Sequence, residues 1–367
     1  MRTAAHTPRR SIGEHLKSMG KWLDNEGDSS PVFGPKDKKA SWMRLIPFWW
    51  VHLMCLGVFW VGCSPVALSV AVALYFIRMF AITGGYHRYF SHRTFKTSRA
   101  VQFLFALVGN SATQRGALHW AAHHRHHHRF SDRPEDVHSP KQHGFWMSHL
   151  FWFSTRENSD VKTRQMKDFL GFPELLFLDR YDFLAPLALG ILMLVMGFFL
   201  HRVAPGLHTS AMQMVIWGYF ISTVFLYHGT FCINSLAHVW GWSRFKTGDD
   251  SKNNPALALI TLGEGWHNNH HHYPNTVRQG FLWWEIDVSF YILWGLSKLG
   301  LVWDLKPVPA SMRKRRSIDA AAIVLPLHMS LLKPPVSRAS VEDEARPPDL
   351  PDASSPARLS RQDLMVV

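Results

Sequence analysis

Cysteine and charge are both scarce in this sequence. The chain of 367 residues has only 3 Cys, an odd and scattered set that does not indicate a disulfide framework. Charged residues make up 18%, and the N-terminal MRTAAHTPRR lacks the apolar core of a secretory signal. The net charge is +13, but neither zinc-finger spacing nor a basic helix with base-reading side chains accompanies it. We therefore expect no nucleic-acid partner, and an anionic lipid or an acidic protein would suit this charge better.

Long apolar runs are prominent instead. Four of them, at about residues 45–61, 66–82, 183–200 and 212–233, have the ~17–25 residues that a helix needs to cross a bilayer. Buried helices of a soluble bundle would normally carry a polar stripe, and runs such as FLAPLALGILMLVMGFFL carry none. The pattern predicts an all-α integral membrane protein with four transmembrane helices.

Basic residues lie outside the two pairs of runs. The connections within each pair, at 62–65 and 201–210, are short and nearly uncharged, whereas Lys and Arg flank the outer ends. By the positive-inside rule, both termini and residues 83–182 should lie in the cytosol. Arg78, late in the second run, should reach that same face by snorkelling.

The segments between and after the runs should form a helical cytosolic cap. Residues 83–182 and 239–306 are too long for bare loops, and within them VQFLFALVGN and FLWWEIDVSFYILWGLSKLGL have the composition of helices at the membrane surface. Residues 1–40 and 307–367 have the composition of a flexible and a disordered tail. We therefore place the membrane domain at 41–306.

Histidine is abundant, with 23 residues, and its clusters carry the chemical signal. HRYFSH, HHRHHH, NSLAH and HNNHHH follow one another along the chain. In the second and fourth clusters, histidines spaced i, i+3 and i+4 would share one face of a helix. His87 and His92 would point about 140° apart on a straight α-helix, so we expect them where that helix ends.

All four clusters should meet on one side of the membrane. The topology rests on hydropathy and Lys/Arg placement alone, so this agreement is independent support for a shared site. Imidazole suits iron, zinc, copper and nickel, and the thiolates typical of iron–sulfur clusters are absent from the clusters. Nine suitably spaced histidines are too many for one ion and enough for two.

The segments GGYHRYFSH, HHRHHHRFSD, NSLAH and GEGWHNNHH together resemble the membrane acyl desaturases of the Δ9, or stearoyl-CoA, type over about residues 42–307. The resemblance implies two iron ions bound by nine histidines, with an Asn acting through a water. The matching residues are His87, His92, His124, His127, His128, His238, His267, His270 and His271, with Asn234 as the water holder. His123, His126 and His127 fit the second spacing equally well, but in the family an Arg directly follows the first histidine, as Arg125 follows His124.

The resemblance also implies a bent tunnel for the acyl chain beside the irons. The matching polar positions at the bend are Gln114, Trp120 and Thr230, although Trp120 could equally be an ordinary packed aromatic. Carboxylates and amides should orient the imidazoles from behind. The candidates for that role are Glu264, Asn268 and Asp132.

Positions that hold the acyl carrier in animal acyl-CoA enzymes differ here. Those enzymes have an Asn, an Arg-Asp pair and a Trp where this chain has Arg115, Ala122 with His123, and Phe231. SDRPEDVHSP and HNNHHHYPNTVRQGFLWWEID are closer to bacterial and plant members. An acyl-CoA is the first expectation for the substrate, with an acyl chain already in a membrane lipid as the alternative.

The implied reaction uses O₂ to convert a long saturated acyl chain into a cis-monounsaturated one, with Δ9 as the expected position. Its two electrons must come from outside, because the chain has no haem-attachment motif and no GxGxxG fingerprint. The resemblance implies cytochrome b5 or ferredoxin with its reductase, and a cytosolic site in the endoplasmic reticulum membrane or a bacterial inner membrane. A di-iron hydroxylase is the closest rival. A metal transporter is a distant alternative, because it would need ionisable groups midway along the spans. The third and fourth spans have none there, and His228 lies only near the end of the fourth. A scaffold is the least favoured alternative.

Overall fold

Helices account for nearly all of the regular structure in the computed structural model, which describes residues 42–154 and 166–314. The strands in this part are Lys96–Thr97 and Val302–Trp303, which pair antiparallel with Lys96 opposite Trp303. The prediction of a mainly helical protein is confirmed. The predicted N-terminal tail and most of the C-terminal tail lie outside the described residues.

The helices differ in winding as well as in length. In chain order the α-helices are Trp42–Met54, Val58–Val61, Pro65–Phe80, Arg99–Asn110, Ala117–Phe130, Pro140–His143, Pro173–Arg180, Leu184–Val203, Ala211–Gln213, Ser222–Asn234, Leu236–Val239, Pro255–Ile260, His267–His272, Val288–Lys298 and Ala310–Lys314. Wider π-helical turns occupy Ala81–Ser91, Met147–Phe151 and Met214–Ile221. Tighter 3₁₀ turns occupy Cys55–Gly57, Trp152–Ser154 and Pro205–Leu207.

Three continuous helices are long and apolar enough to cross a bilayer, namely Pro65–Ser91, Leu184–Val203 and Ala211–Val239. They contain 27, 20 and 29 residues. At ~1.5 Å per residue these lengths reach or exceed a ~30 Å hydrocarbon core. Phe76 and Phe198 on these helices are 44% and 60% exposed, as lipid-facing side chains would be. The helices therefore indicate a membrane protein, in which three of the four predicted apolar runs form spanning-length helices.

The first predicted span, at residues 45–61, is a shorter apolar stretch. A 3₁₀ turn at Cys55–Gly57 interrupts its helix, which ends at Val61 before Gly62 turns the chain at a φ of 66°. Phe48 packs on Tyr227 of the third long helix, with ring centroids 5.6 Å apart. A fourth crossing and the cytosolic position of the cap stay predictions.

Arg78 is buried and does not snorkel, in contrast to the sequence-based prediction. Arg78 is only 1% exposed. Its Nη1 donates to Thr223 Oγ1 at 2.8 Å and to the Ser111 carbonyl at 3.1 Å. Its Nη2 donates to Ser222 Oγ. Hydroxyl groups on the third long helix satisfy the guanidinium, because an unpaired donor in an apolar interior is costly. Arg78 therefore joins two long helices to the loop after Asn110.

The cap packs around the end of the Pro65–Ser91 helix. The core there combines apolar side chains from the end of this helix with others from several cap helices, including Tyr86, Phe90, Phe105, Leu118, Leu175 and Leu293. The helix does not stop where the second apolar run stops, because π-helical turns continue it from Ala81 to Ser91. His87 of the first histidine cluster is thus part of the same continuous helix as a candidate span, and His92 caps that helix.

Candidate metal centre

His87 lies in the π-helical end of the Pro65–Ser91 helix, and His92 follows it directly as the C-cap residue. The repeating hydrogen bond of a π-helix joins residues five apart, and here the backbone N–H of His92 donates to the His87 carbonyl at 3.2 Å. Their ring centroids are 4.9 Å apart. Gly85 permits the close packing of Phe105, since a Cβ there would come within 2.9 Å of that side chain. The helix does end at this pair, as expected, but the change in winding is what brings the two rings together.

The second cluster lies on the helix Ala117–Phe130. Its first turn is held by the Asp179 carboxylate, which accepts hydrogen bonds from the backbone N–H groups of Leu118 at 2.9 Å and His119 at 3.0 Å. A carboxylate at a helix N-terminus satisfies open donors and complements the helix dipole. Gly116 permits this approach, because a Cβ there would lie 2.0 Å from Asp179 Oδ1. The carboxylate therefore fixes where the helix begins and how its histidines are directed.

The fourth cluster forms a short helix of its own, His267–His272. Asn268 Oδ1 accepts hydrogen bonds from the backbone N–H groups of Arg244 at 2.7 Å and Phe245 at 2.8 Å. The amide between the histidines thus fastens this helix to a neighbouring loop. Asn268 holds loop backbone where we expected it to hold an imidazole.

The fold gathers all nine histidines that match the ligand pattern into two adjacent groups. Within each group, one nitrogen from each ring lies within 4.8 Å of the corresponding nitrogens of the other rings. The five-histidine group consists of His87, His92, His124, His128 and His270, and the four-histidine group consists of His127, His238, His267 and His271. The groups adjoin through His128 and His271, whose ring centroids are 4.5 Å apart.

The ring nitrogens converge with a spacing that suits metal ions. In the five-histidine group the Nε2 atoms of neighbouring rings are 2.9 Å apart, for His87 with His270, His92 with His124, His124 with His128, and His128 with His270. Nitrogens bound at about 2.1 Å and at right angles around one ion would be about 3 Å apart. In the four-histidine group the Nε2 atoms of His238 and His267 are 3.1 Å apart, and Nε2 of His271 is buried without a hydrogen-bond partner among the described residues. The donor set fits two borderline metal ions such as iron.

Carboxylates hold three rings of the four-histidine group from behind. The pairs, with their Nδ1–O distances, are His238 with Asp132 at 2.9 Å, His127 with Asp136 at 3.0 Å and His271 with Asp249 at 2.6 Å. Such contacts turn Nε2 toward the centre. Asp132 was among the predicted residues, whereas Asp136 and Asp249 were missed. The acidic dipeptide 249–250 could have indicated a carboxylate near the site. The sequence does not show which of the two is buried: the Asp249 side chain is 6% exposed and that of Asp250 is 46% exposed.

Glu264, one of the residues expected to orient an imidazole, lies behind the five-histidine group. Its Oε2 accepts a hydrogen bond from Nδ1 of His87 and another from Gln279 Nε2 at 3.0 Å. Its Oε1 accepts from Arg88 Nη2 at 3.1 Å, and Arg88 also binds Asp287 at 2.9 Å. This carboxylate therefore shares its charge with a buried cation.

Burial keeps most of these rings neutral, which is the form that binds a metal. Together with neighbouring rings, it lowers the pKa well below the ordinary value for His92, His124, His128, His267 and His270. Burial also lowers the pKa of His271 to about 4, against the opposing hydrogen bond with Asp249. Although burial alone would raise the pKa of Asp249, the hydrogen bond from His271 lowers it below the ordinary range, so this carboxylate stays ionised.

A cavity extends from both histidine groups into the space between the long helices. Its walls include histidines of each group and Asn234, together with the apolar side chains of Met79, Ile82 and Ile233. The predicted tunnel residues Trp120 and Thr230 also line it. The cavity therefore places apolar surface next to the converging nitrogens.

The third predicted tunnel residue, Gln114, contacts this cavity through another side chain. Its Nε2 donates to Thr230 Oγ1 at 3.0 Å. Trp120 stacks on His124, with ring centroids 5.2 Å apart and an angle of 18° between the planes. These contacts couple the cavity wall to the five-histidine group.

Another chain of histidines lies outside both groups and was not foreseen. His52 Nε2 is 3.3 Å from His228 Nε2, and His228 Nδ1 is 3.0 Å from His149 Nε2. Nδ1 of His149 lies 2.8 Å from Ser235 Oγ. The rings are arranged in line rather than around a point, and they connect the first apolar helix, the third long helix and the cap. Three distant segments supply them, so no local spacing could have indicated the chain.

This chain resembles several known desaturases. The family model described as fatty acid desaturase matches residues 63–293. The chloroplastic palmitoyl-monogalactosyldiacylglycerol delta-7 desaturase of Arabidopsis thaliana is 37% identical over 254 residues, which are 68% of this chain and 64% of that protein. Delta-9 acyl-lipid desaturase 1 of the same plant is 35% identical over 293 residues, 77% of this chain and 89% of its own length. An acyl-CoA 5-desaturase of Anemone leveillei is 34% identical over 298 residues, 77% of this chain and 87% of its own length.

Proposed function

Since this chain belongs to the fatty acid desaturase family, we propose that it introduces a cis double bond into a long saturated acyl chain at a pair of iron ions, using O₂. The observation that carries the proposal is the position of the two histidine groups, side by side on the wall of a partly apolar cavity. A surface metal-binding tract would have no reason to adjoin such a cavity.

In this proposal each histidine group binds one iron. Asn234 holds a water at the four-histidine group, since it lines the same cavity as His127 and His267 of that group. Iron, O₂ and two external electrons supply the oxidant that an unactivated methylene C–H bond requires. The carboxylates behind the rings hold Nε2 of each imidazole in position and keep the ligand geometry fixed.

The cavity side chains determine which carbons meet the metals. Met79, Ile82 and Ile233 exclude water and accept the acyl chain by apolar contact. The Gln114–Thr230 hydrogen bond and the Trp120 ring shape the wall next to the five-histidine group. Holding a chosen methylene against the reactive centre is a positioning effect, and the proposed Δ9 outcome depends on it.

For the acyl carrier, a membrane lipid is better supported than CoA, which the sequence alone placed first. Arg115, at one carrier position of the animal acyl-CoA enzymes, pairs with Asp182 at 3.3 Å. Ala122 and His123, at the next two positions, are 0% and 4% exposed. Side chains buried in this way cannot contact a soluble nucleotide. We propose a lipid-linked acyl chain as the substrate, with acyl-CoA as the second candidate.

The proposed setting follows from charge and hydropathy. Residues 45–61 would provide a fourth crossing, and the basic flanks would place the cap and both termini in the cytosol. A separate one-electron carrier, cytochrome b5 or ferredoxin with its reductase, would dock on that face, and basic residues there would attract such an acidic protein.

Expression in a desaturase-deficient yeast, followed by fatty-acid profiling with bond location, tests the activity. A product lighter by two hydrogens supports desaturation, and one heavier by an oxygen atom would indicate a hydroxylase.

To identify the acyl carrier, labelled acyl chains are followed after lipid synthesis is blocked. Unsaturation that continues to rise in the lipid fraction supports a lipid substrate, and its arrest favours acyl-CoA.

Neighbouring histidines offer a matched test of the ligand assignment. His271→Ala should remove iron and abolish unsaturation, because this ring belongs to the four-histidine group. His272→Ala should retain both, because His272 stacks on Phe245 with centroids 4.1 Å apart and belongs to neither group. Full activity of the His271 variant would contradict the assignment.

A further inference from the structure

Carboxylates surround the two histidine groups unequally. In the four-histidine group, three of the four rings have Nδ1 on a carboxylate, from Asp132, Asp136 and Asp249. Among the described residues, the five-histidine group has one such ion-pair contact, between His87 and Glu264. The difference concerns the side chains behind the rings and is separate from the number of rings in each group.

The surroundings of these carboxylates preserve the difference in charge. The ion pairs of Asp132, Asp136 and Asp249 within the described residues are with histidine rings, and their other hydrogen bonds come from hydroxyl and backbone groups. Glu264, by contrast, lies 3.1 Å from the guanidinium of Arg88, which is 1% exposed. Arg88 also pairs with Asp287, so Glu264, Arg88 and Asp287 together carry a net charge of −1, whereas the three aspartates behind the four-histidine group carry −3.

The aspartates affect a metal ion in the four-histidine group in two ways, through the strength of its ligands and through the electric field, and both favour a higher positive charge on that ion. A carboxylate on Nδ1 makes the imidazole a more electron-donating ligand. Asp136 and Asp132 are 0% and 6% exposed, so their charges act through a poorly screening interior. The field and the ligand strength add, because they arise from the same aspartates.

We infer that the four-histidine group stabilises the more oxidised ion of the pair and that the ion in the five-histidine group is reduced first. This inference rests on the proposed function, since it requires a redox metal in each group. In the first step a one-electron donor loses one electron, and the ion in the five-histidine group passes from ferric to ferrous. In the second step another electron reduces the ion held by His127, His238, His267 and His271.

The experiment measures the two one-electron reduction potentials of the full chain in detergent. The protein is loaded with iron-57 and titrated with dithionite, and Mössbauer and EPR spectra follow each oxidation state. We expect two separate steps and a half-reduced state with trapped valences. Removing a negative charge beside an ion raises its reduction potential. Asp249→Asn should therefore raise the lower potential, that of the four-histidine group, and narrow the gap between the two potentials. Glu264→Gln should raise the higher potential, that of the five-histidine group, and widen the gap.

Asp250→Asn is the matched control. Asp250 adjoins Asp249 in sequence, but its side chain is 46% exposed and pairs with Lys141 at 3.2 Å. This variant should leave both potentials unchanged. A purely structural role for the carboxylates would lower the iron content without opposite shifts in the separation of the two potentials.

The outcomes separate the two levels of the proposal. Fewer than two irons per wild-type chain, or no unsaturated product, would remove the proposed function itself. Two irons and normal product, but reduction in a single step or a narrowing in Glu264→Gln, would overturn this inference alone. If the variants fail to bind iron, the EPR spectrum of the half-reduced wild-type protein in oxygen-17 water shows which group holds the ferric ion. Coupling of the ferric ion to water oxygen is expected beside Asn234, and its absence overturns the inference.

Discussion

Replacing Thr230 by Val tests whether the hydrogen bond in the cavity wall positions the acyl chain. Gln114 Nε2 donates to Thr230 Oγ1 at 3.0 Å, and Thr230 in turn donates to the Leu226 carbonyl at 3.0 Å. Valine keeps the shape of the side chain but removes the acceptor, so the amide of Gln114 loses its partner. A buried donor left unpaired costs about 1–3 kcal/mol. Because this contact is only part-buried, we expect about 1–2 kcal/mol, or roughly 5- to 30-fold in rate.

The assay is the initial rate of desaturation in isolated membranes, together with the position of the double bond by mass spectrometry. Gln114→Leu and the double variant complete a double-mutant cycle. If the hydrogen bond is responsible, the double variant should lose no more activity than the more impaired single variant. Thr261→Val is the matched control, because Thr261 also lines the cavity but donates only to the Leu257 carbonyl of the helix that it caps, among the contacts of the described residues.

Two results would refute this reasoning. Additive losses in the cycle would show that Gln114 and Thr230 act separately. An equal loss in Thr261→Val would show that any change of hydroxyl to methyl in the cavity wall has this effect. We expect the control to change the rate by no more than about 2-fold, the usual range for a substitution that disturbs none of these contacts.

Three other perturbations have defined outcomes. Arg125 donates to the Phe90 and Ser91 carbonyls at 2.7 and 3.0 Å, so Arg125→Met should lower the iron content measured by emission spectrometry, whereas the exposed Arg129→Met should not. Because burial lowers the pKa of His271 to about 4, its ring stays neutral and able to bind above that pH. Although burial alone would lower the pKa of His127 in the same group, the charge of Asp136 raises it, so this ring should be protonated first. The affinity of the four-histidine group for metal should therefore begin to fall on acidification from about pH 7, and metal should be released completely only as the pH falls through the range of the His271 pKa; complete release already at about pH 5 would contradict the burial argument. Chelation should abolish unsaturation, and ferrous iron but not zinc should restore it, because zinc has no redox chemistry; recovery with zinc would exclude an oxidative role for the metal.

The sequence was sufficient for the helical class and for three of the four predicted spanning helices, and its resemblance to the desaturases selected the nine histidines that the fold brings together. These features are local: an apolar run reports the length of its own helix, and i, i+3 and i+4 spacing reports one helical face. The five-residue spacing of His87 and His92 was also visible. Its structural meaning was not, because winding as a π-helix depends on how the helix packs against the cap.

Tertiary structure alone decided how these residues are used. His127 and His128 are adjacent in sequence but belong to different groups, and Asp249 turns inward while Asp250 turns outward. Arg78 is buried because hydroxyls about 145 residues away accept its hydrogen bonds. Burial and the choice of partner depend on segments that meet only in the folded chain. Local periodicity contains no information about such distant contacts, and so the unequal charge around the two histidine groups emerges only from the fold.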